Sequence, residues 1–333
     1  NSFKAVTYTG TGSAQSITGV GFKPDFVWIK DRDTDFSHAL ADNLRGAARY
    51  LKSNSTAAEA VDYTTLTSFD SDGFSIGSAG GSYGNNNDNY IAWCWKAGNT
   101  WQSNIDGTIP SITNTNTANG FSVVKYTGDG NSARTIGHGL TAKCDLVIIK
   151  GLDSADKWPV QLPQLGDNAR MVLEGAAGKT DDSTTAQAGN TTVFGIGGDN
   201  AVNKSGEEFI AYCWHSVSGY SKIGTYTGTG TSSRSFTLLD FQPDFVMVKS
   251  TTQSDGRWHM YDSTRGVKKR LLANSDGVEY NEATGGSAGL NSFDNTGWTI
   301  GNDGHMNQNN ETYLYMAFKT NLPTADAAGK MAF

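Results

Sequence analysis

Few residues in this chain of 333 amino acids stand where their types and spacing could do chemistry, and the best of them are aromatic. Trp158 and Trp258 occupy matching places in KWPV and RWHMYD, each beyond an apolar strand-like run and each among polar neighbours. A flat apolar ring beside Asn, Asp and Arg is what a sugar-binding face offers, and Tyr261, three residues past Trp258, extends it. The same rings could instead cap a β-sandwich or pack between domains. Trp101 stands alone in a polar stretch and is expected to dock against a neighbouring domain. Asn87 and Asp88, with Asn310 and Glu311 in a similar setting, supply oxygen ligands of the kind Ca²⁺ takes. Neither an EF-hand nor a nonapeptide spacing surrounds them, and a turn before a strand accounts for the asparagines equally well. No cofactor is expected.

Catalytic arrangements are missing from the pattern. The five histidines form no His-x-x-x-His pair, and Gly-x-Ser-x-Gly does not occur. The glycines of TGTG and TGDG lack the Lys-Ser/Thr and helix start that a phosphate loop needs, so they read as β-turns or bulges. Asp25, Asp145 and Asp244 recur before an apolar run. A catalytic carboxylate needs a partner at working distance, whereas an aspartate that opens a strand commonly binds backbone amides. A glycan depolymerase would need an Asp/Glu pair in a groove between subunits. No catalytic residue is assigned, and the chain reads as a non-enzyme.

The elements that must position these residues are repeated. FKAVTYTGTGS running to GFKPDFVWIK (3–30) returns as FSVVKYTGDG…CDLVIIK (121–150) and as SKIGTYTGTG…PDFVMVK (221–249). Each copy closes on a strand apolar on both faces: NYIAWCW, EFIAYCW and TYLYMAF. Such a strand has no solvated side, so it is central or meets another repeat. Before it, SFDSDGFSIG and SFDNTGWTIG carry Asp/Asn-Gly hairpin signals. Forty glycines and only 18% charged residues favour turns and strands over helices. The expectation is an all-β protein of three tandem antiparallel β-sandwich repeats, jelly-roll or lectin-like. Their bounds are 1–98, 120–219 and 220–320, with a Thr/Asn/Ser-rich linker at 99–119 and a C-terminal tail at 321–333.

A net charge of −7 leaves no basic footprint for nucleic acid, and no apolar run approaches the ~18–20 residues of a membrane span. Cys94 and Cys213 share one repeat position where the third copy has Ala317, which fits reduced core thiols assembled in a reducing compartment; Cys144 reads likewise. The opening NSFKAV lacks an initiator Met and a signal-peptide pattern, and is read as processed or trimmed.

Together, YTGxG, PDFVxIK, GFxIG and the closing YIAWCW-type strand resemble a tandem β-repeat of marine tailed-bacteriophage virion proteins, across Phe3 to about Thr320. That resemblance implies a virion protein assembled in the host cytoplasm, with other virion proteins as partners and a homo-oligomer, a trimer by preference. It implies a tail-fibre or appendage component that contacts a host-surface glycan. A capsid decoration or head-fibre protein is the nearest alternative. An array of secreted carbohydrate-binding modules is the alternative from another class.

Overall fold

The computed structural model describes residues 2–254, 256–285 and 289–320, and these form an all-β protein of antiparallel sheets. In the largest sheets one pairing recurs. The closing strand lies between the opening strand and the apolar middle strand: Asn89–Trp95 between Phe3–Thr9 and Phe26–Asp31, Glu208–Trp214 between Phe121–Thr127 and Leu146–Gly151, and Thr312–Phe318 between Ser221–Thr227 and Phe245–Ser250. The register is the same in each, with Tyr8 opposite Tyr90, Tyr126 opposite Phe209 and Tyr226 opposite Tyr313. These rings stack at centroid separations of 5.0, 5.2 and 5.1 Å. The opening tyrosines then donate their hydroxyls to the carbonyls of Tyr83, Val202 and Met306. A buried phenol needs such a partner.

Each large sheet covers a smaller one: Gln15–Ile17, Gly73–Ile76 and Leu66–Asp70 in the first unit, Arg134–Gly137 with Val193–Ile196 in the second, and Arg234–Phe236, Gly297–Ile300 and Leu290–Asp294 in the third. Three separate apolar clusters fill the three sandwiches. Asp25, Asp145 and Asp244 accept backbone N–H bonds from Ala97, Ser216 and Thr320, tying each middle strand to the chain leaving its closing strand.

The opposite faces of the large sheets are not solvated. Trp93 and Trp95, Tyr212 and Trp214, and Met316 and Phe318 converge in one core shared by all three units. Contacts around it are cyclic. Glu59 N donates to Leu152 O (2.9 Å), Lys179 N to Thr251 O (2.5 Å) and Glu279 N to Arg32 O (2.8 Å). First grips second, second grips third, and third returns to first, so the units surround a pseudo-threefold axis.

This packing corrects the expected sugar face. Trp158 and Tyr261 are 0% exposed and Trp258 is 1% exposed. The Trp158 indole donates to Lys52 O and the Trp258 indole to Val172 O, each at 3.1 Å and each across a unit boundary. His38 stands at the third equivalent place, with Nε2 3.0 Å from Leu272 O. Tyr261 donates to the buried Glu282. Of the polar neighbours that suggested a wet face, Lys157 and Arg257 are exposed, while Asp262 is buried and accepts from the Trp93 indole of the first unit.

The expected linker is also corrected. Trp101–Asn104 and Ser111–Asn116 are strands, and the second pairs with Phe121–Thr127, so 99–119 extends the middle sheet by a hairpin. The third unit is described as far as Thr320, and the tail at 321–333 lies outside the described residues.

Candidate functional site

The hairpin is the main departure from the cyclic plan, since in the other two units the opening strand is the edge of its sheet. Its residues alternate. Ser111, Thr113 and Thr115 turn toward the sandwich side, while Ile112 and Asn114 turn to the other face, where Asn114 is buried and Ile112 exposed. Asn114 is 1% exposed and donates to Asp25 Oδ1 at 2.9 Å, which pins the hairpin to the first unit. Asn116 donates to Ala97 O nearby.

On the sandwich side the hairpin walls a polar cleft of about 310 Å³, lined by Gln102, Asn104, Asp106, Thr113, Thr115 and Gly139 among others. Asn104 and Asp106 hold each other, Nδ2 to Oδ2 at 3.2 Å and Asp106 N to Asn104 Oδ1 at 2.9 Å. Thr115 Oγ1 is shared with Ser122 Oγ at 2.8 Å. Gly139 has φ +70°, and a Cβ there would fall 2.6 Å from Thr115 Oγ1, so glycine both permits the turn and keeps the wall open. The lining offers hydroxyls, carboxamides and one carboxylate, and no cation. A site of that kind hydrogen-bonds a neutral polyol and repels an anion.

The opposite side carries a second groove of about 230 Å³ along Ser103, Pro110 and Ile112, floored by the Lys125–Glu208 ion pair at 2.8 Å. Trp101 is 53% exposed and Ile105 80% exposed on the same hairpin. Trp101 therefore does not dock, contrary to expectation. The exposed aromatic sought at Trp158 and Trp258 is found here instead. An isolated Trp in a polar segment was the available signal, and the segment's alternating Ser-Ile-Thr-Asn-Thr was the overlooked sign of a strand.

The oxygen-rich stretches have a backbone explanation. Asn87 and Asn310 adopt left-handed conformations, φ +67° and +61°, which Asn tolerates better than most residues. Their amides donate to Gly10 O and Gly228 O, docking each loop on its TGTG turn. Asp88 accepts from Asn85 Nδ2 at 3.1 Å, and Glu311 donates its amide to Gln308 O. Among the described residues no group of three or more His, Cys, Asp or Glu is placed to hold a metal ion.

Two buried features went unseen in the sequence. The lysines ending each middle strand, Lys30, Lys150 and Lys249, are 0% exposed, and their ammonium groups donate to backbone carbonyls. Burial pushes Lys30 and Lys150 down to about 8. Their threefold recurrence was the signal, and carbonyl capture in every unit makes the role structural. Cys144 lies with His138 and Cys213. Burial raises its thiol, but hydrogen bonds to Cys213 and His138 outweigh burial and bring it down to about 6. At 3% exposure beside a fully buried His138, it is closed to any substrate.

The fold is thus that of an all-β, multi-sheet sandwich protein with a polar cleft beside the hairpin of its middle unit. The family described as a domain of unknown function, DUF7483, matches residues 1–323, and the chain belongs to it. No curated protein and no solved structure matches.

Proposed function

We propose that this protein is a non-enzymatic structural component of a bacteriophage virion, in a fibre or appendage, that recognises a neutral glycan on the host surface through the 99–119 hairpin. The observation that carries the recognition part is the cleft beside Gln102, Asn104 and Thr113, cation-free and rich in hydroxyls and carboxamides; exposed Trp101 stands on the same strand but on its other face. The structural part is supported by the closed core shared by three units, which fits a rigid building block better than a hinged catalyst. Its partners in this reading are other virion proteins and the glycan.

The test is a glycan-array and host-cell binding assay on the intact chain, beside Trp101→Ala and a Gln102→Ala/Asn104→Ala double variant. The proposal expects neutral-glycan binding that the double variant abolishes while unfolding is unchanged. Binding undiminished in both variants overturns the site. No binding to any glycan or cell overturns the recognition role and leaves a purely architectural part, as in a capsid decoration protein.

A further inference from the structure

We propose that the third unit carries an autocatalytic isopeptide cross-link site, in which the Lys268 amine joins the Asn291 side chain with Glu282 as the proton-transfer group. This inference is independent of the function proposed above.

Two of the three positions meet in every unit, and a bulged third lies beside them in the first and third units. The amide of the residue at the Glu282 place donates to the carbonyl of the residue at the Lys268 place: Asp62 to Ala48, Asp182 to Asn168, and Glu282 to Lys268, at 2.8, 2.8 and 2.9 Å. A β-bulge between Leu290 and Ser292 makes Asn291 the extra residue of its strand, as a bulge between Leu66 and Ser68 does for Thr67. Bulges re-aim a side chain, and here the Asn291 carboxamide is aimed at Lys268, whose Nζ is in direct contact with its Oδ1. The first unit has Ala48, Asp62 and Thr67 at these places, so the fold does not demand the trio. Only the third unit combines amine, carboxamide and carboxyl.

Glu282 is built for proton transfer. It is 2% exposed, accepts from Tyr261 Oη at 2.8 Å and meets Arg270 at 3.2 Å. Its second oxygen, Oε2, is buried and has no hydrogen-bond partner among the described residues. Burial raises this carboxyl above its ordinary range, which favours the protonated form. A Cβ on Gly289 would lie 2.2 Å from Oε2, so glycine gives the carboxyl room two residues from Asn291.

The chemistry balances without an oxidant, metal or cofactor. The Lys268 amine attacks Asn291 Cγ, the Nζ–Cγ bond forms and the Cγ–Nδ2 bond breaks. Glu282 gives its proton to the departing nitrogen and recovers one from Nζ. The products are a secondary amide and ammonia. The link would join the end of the large sheet to the small sheet of the same unit, adding a side-chain bond across them.

The test is the denatured intact mass of the full chain after folding, followed by peptide mapping. The expected result is a mass lower than that of the sequence by one ammonia, and a branched peptide joining the segments around Lys268 and Asn291. Lys268→Arg and Asn291→Ala should each restore the full mass. A full mass in the wild-type chain overturns the proposal. So does an ammonia loss that persists in Lys268→Arg, because that marks a succinimide at Asn291. Glu282→Gln, checked for native near-ultraviolet dichroism, should leave the bond unformed, and unchanged bond formation there overturns the role of Glu282.

Discussion

Replacing Arg265 by leucine tests whether the joints between units are held by charge or by packing. The side chains of Arg265 and Asp262 are both 0% exposed and meet at 2.6 Å. The Trp93 indole of the first unit donates to the same Asp262 oxygen at 3.1 Å, and its ring lies 5.3 Å from the guanidinium. Arg265→Leu leaves a buried carboxylate with two N–H donors, Trp93 Nε1 and the residue-265 amide, and without the cation that contacts it. Breaking a buried pair from one side costs about 3–5 kcal/mol, a large part of a total stability of about 5–15 kcal/mol. The middle unit does the experiment naturally. Leu162 and Leu165 stand where Asp262 and Arg265 stand, and the residue in the Trp93 place is the apolar Met316. Asp262→Leu/Arg265→Leu should therefore be milder than Arg265→Leu alone, about 1–3 kcal/mol, most of it the unpartnered Trp93 indole. Urea unfolding followed by tryptophan fluorescence measures Arg265→Leu, Asp262→Leu and the double variant, with slopes checked for a single transition. A double variant that costs the sum of its singles would refute the reasoning, because the pair would then be contributing beyond mutual neutralisation.

Other expectations follow from the same joints. Trp158→Ala and Trp258→Ala should each destabilise by about 3–5 kcal/mol, read as a lower urea midpoint with glycan binding unchanged below the transition. Stability should fall on acidification. Burial first, then the charge on Lys30, lowers His38 to about 3, and burial with neighbouring cations lowers His259 well below its ordinary value. A histidine depressed in the folded state leaves stability intact above its unfolded value of about 6.5 and loses it as the pH falls below that. His38 alone then costs about 2 kcal/mol by pH 5. Thermal melts across pH 5–7 would show the loss, and His38→Gln should flatten it by about one proton's worth of slope. Gly297→Ala should be far worse than Gly266→Ala. A Cβ at 297 would lie 1.7 Å from Phe236 O, whereas one at 266 meets nothing within 4 Å and pays only for φ +100°.

The sequence by itself determined the strands and their order of importance. NYIAWCW, EFIAYCW and TYLYMAF are apolar on both faces, and each lies at the centre of a sheet because no other place covers both. The aspartates before the middle strands were legible as backbone-binding groups, but the amides they bind lie on the chain leaving the closing strand, not in the turn that launches the middle strand. What the second face of each sheet touches was not legible. It depends on residues more than a hundred positions away, such as Lys52 O over Trp158 and Asp262 over Trp93. For the same reason Trp158, Trp258 and Tyr261 looked exposed. Polar neighbours mark a wet surface only when no distant charge or carbonyl answers them. The hairpin at 99–119 was misjudged because a polar strand at a sheet edge, solvated on one side, has the composition of a linker. The contact of Lys268 with Asn291 required a bulge to turn one side chain, which only the folded backbone could decide.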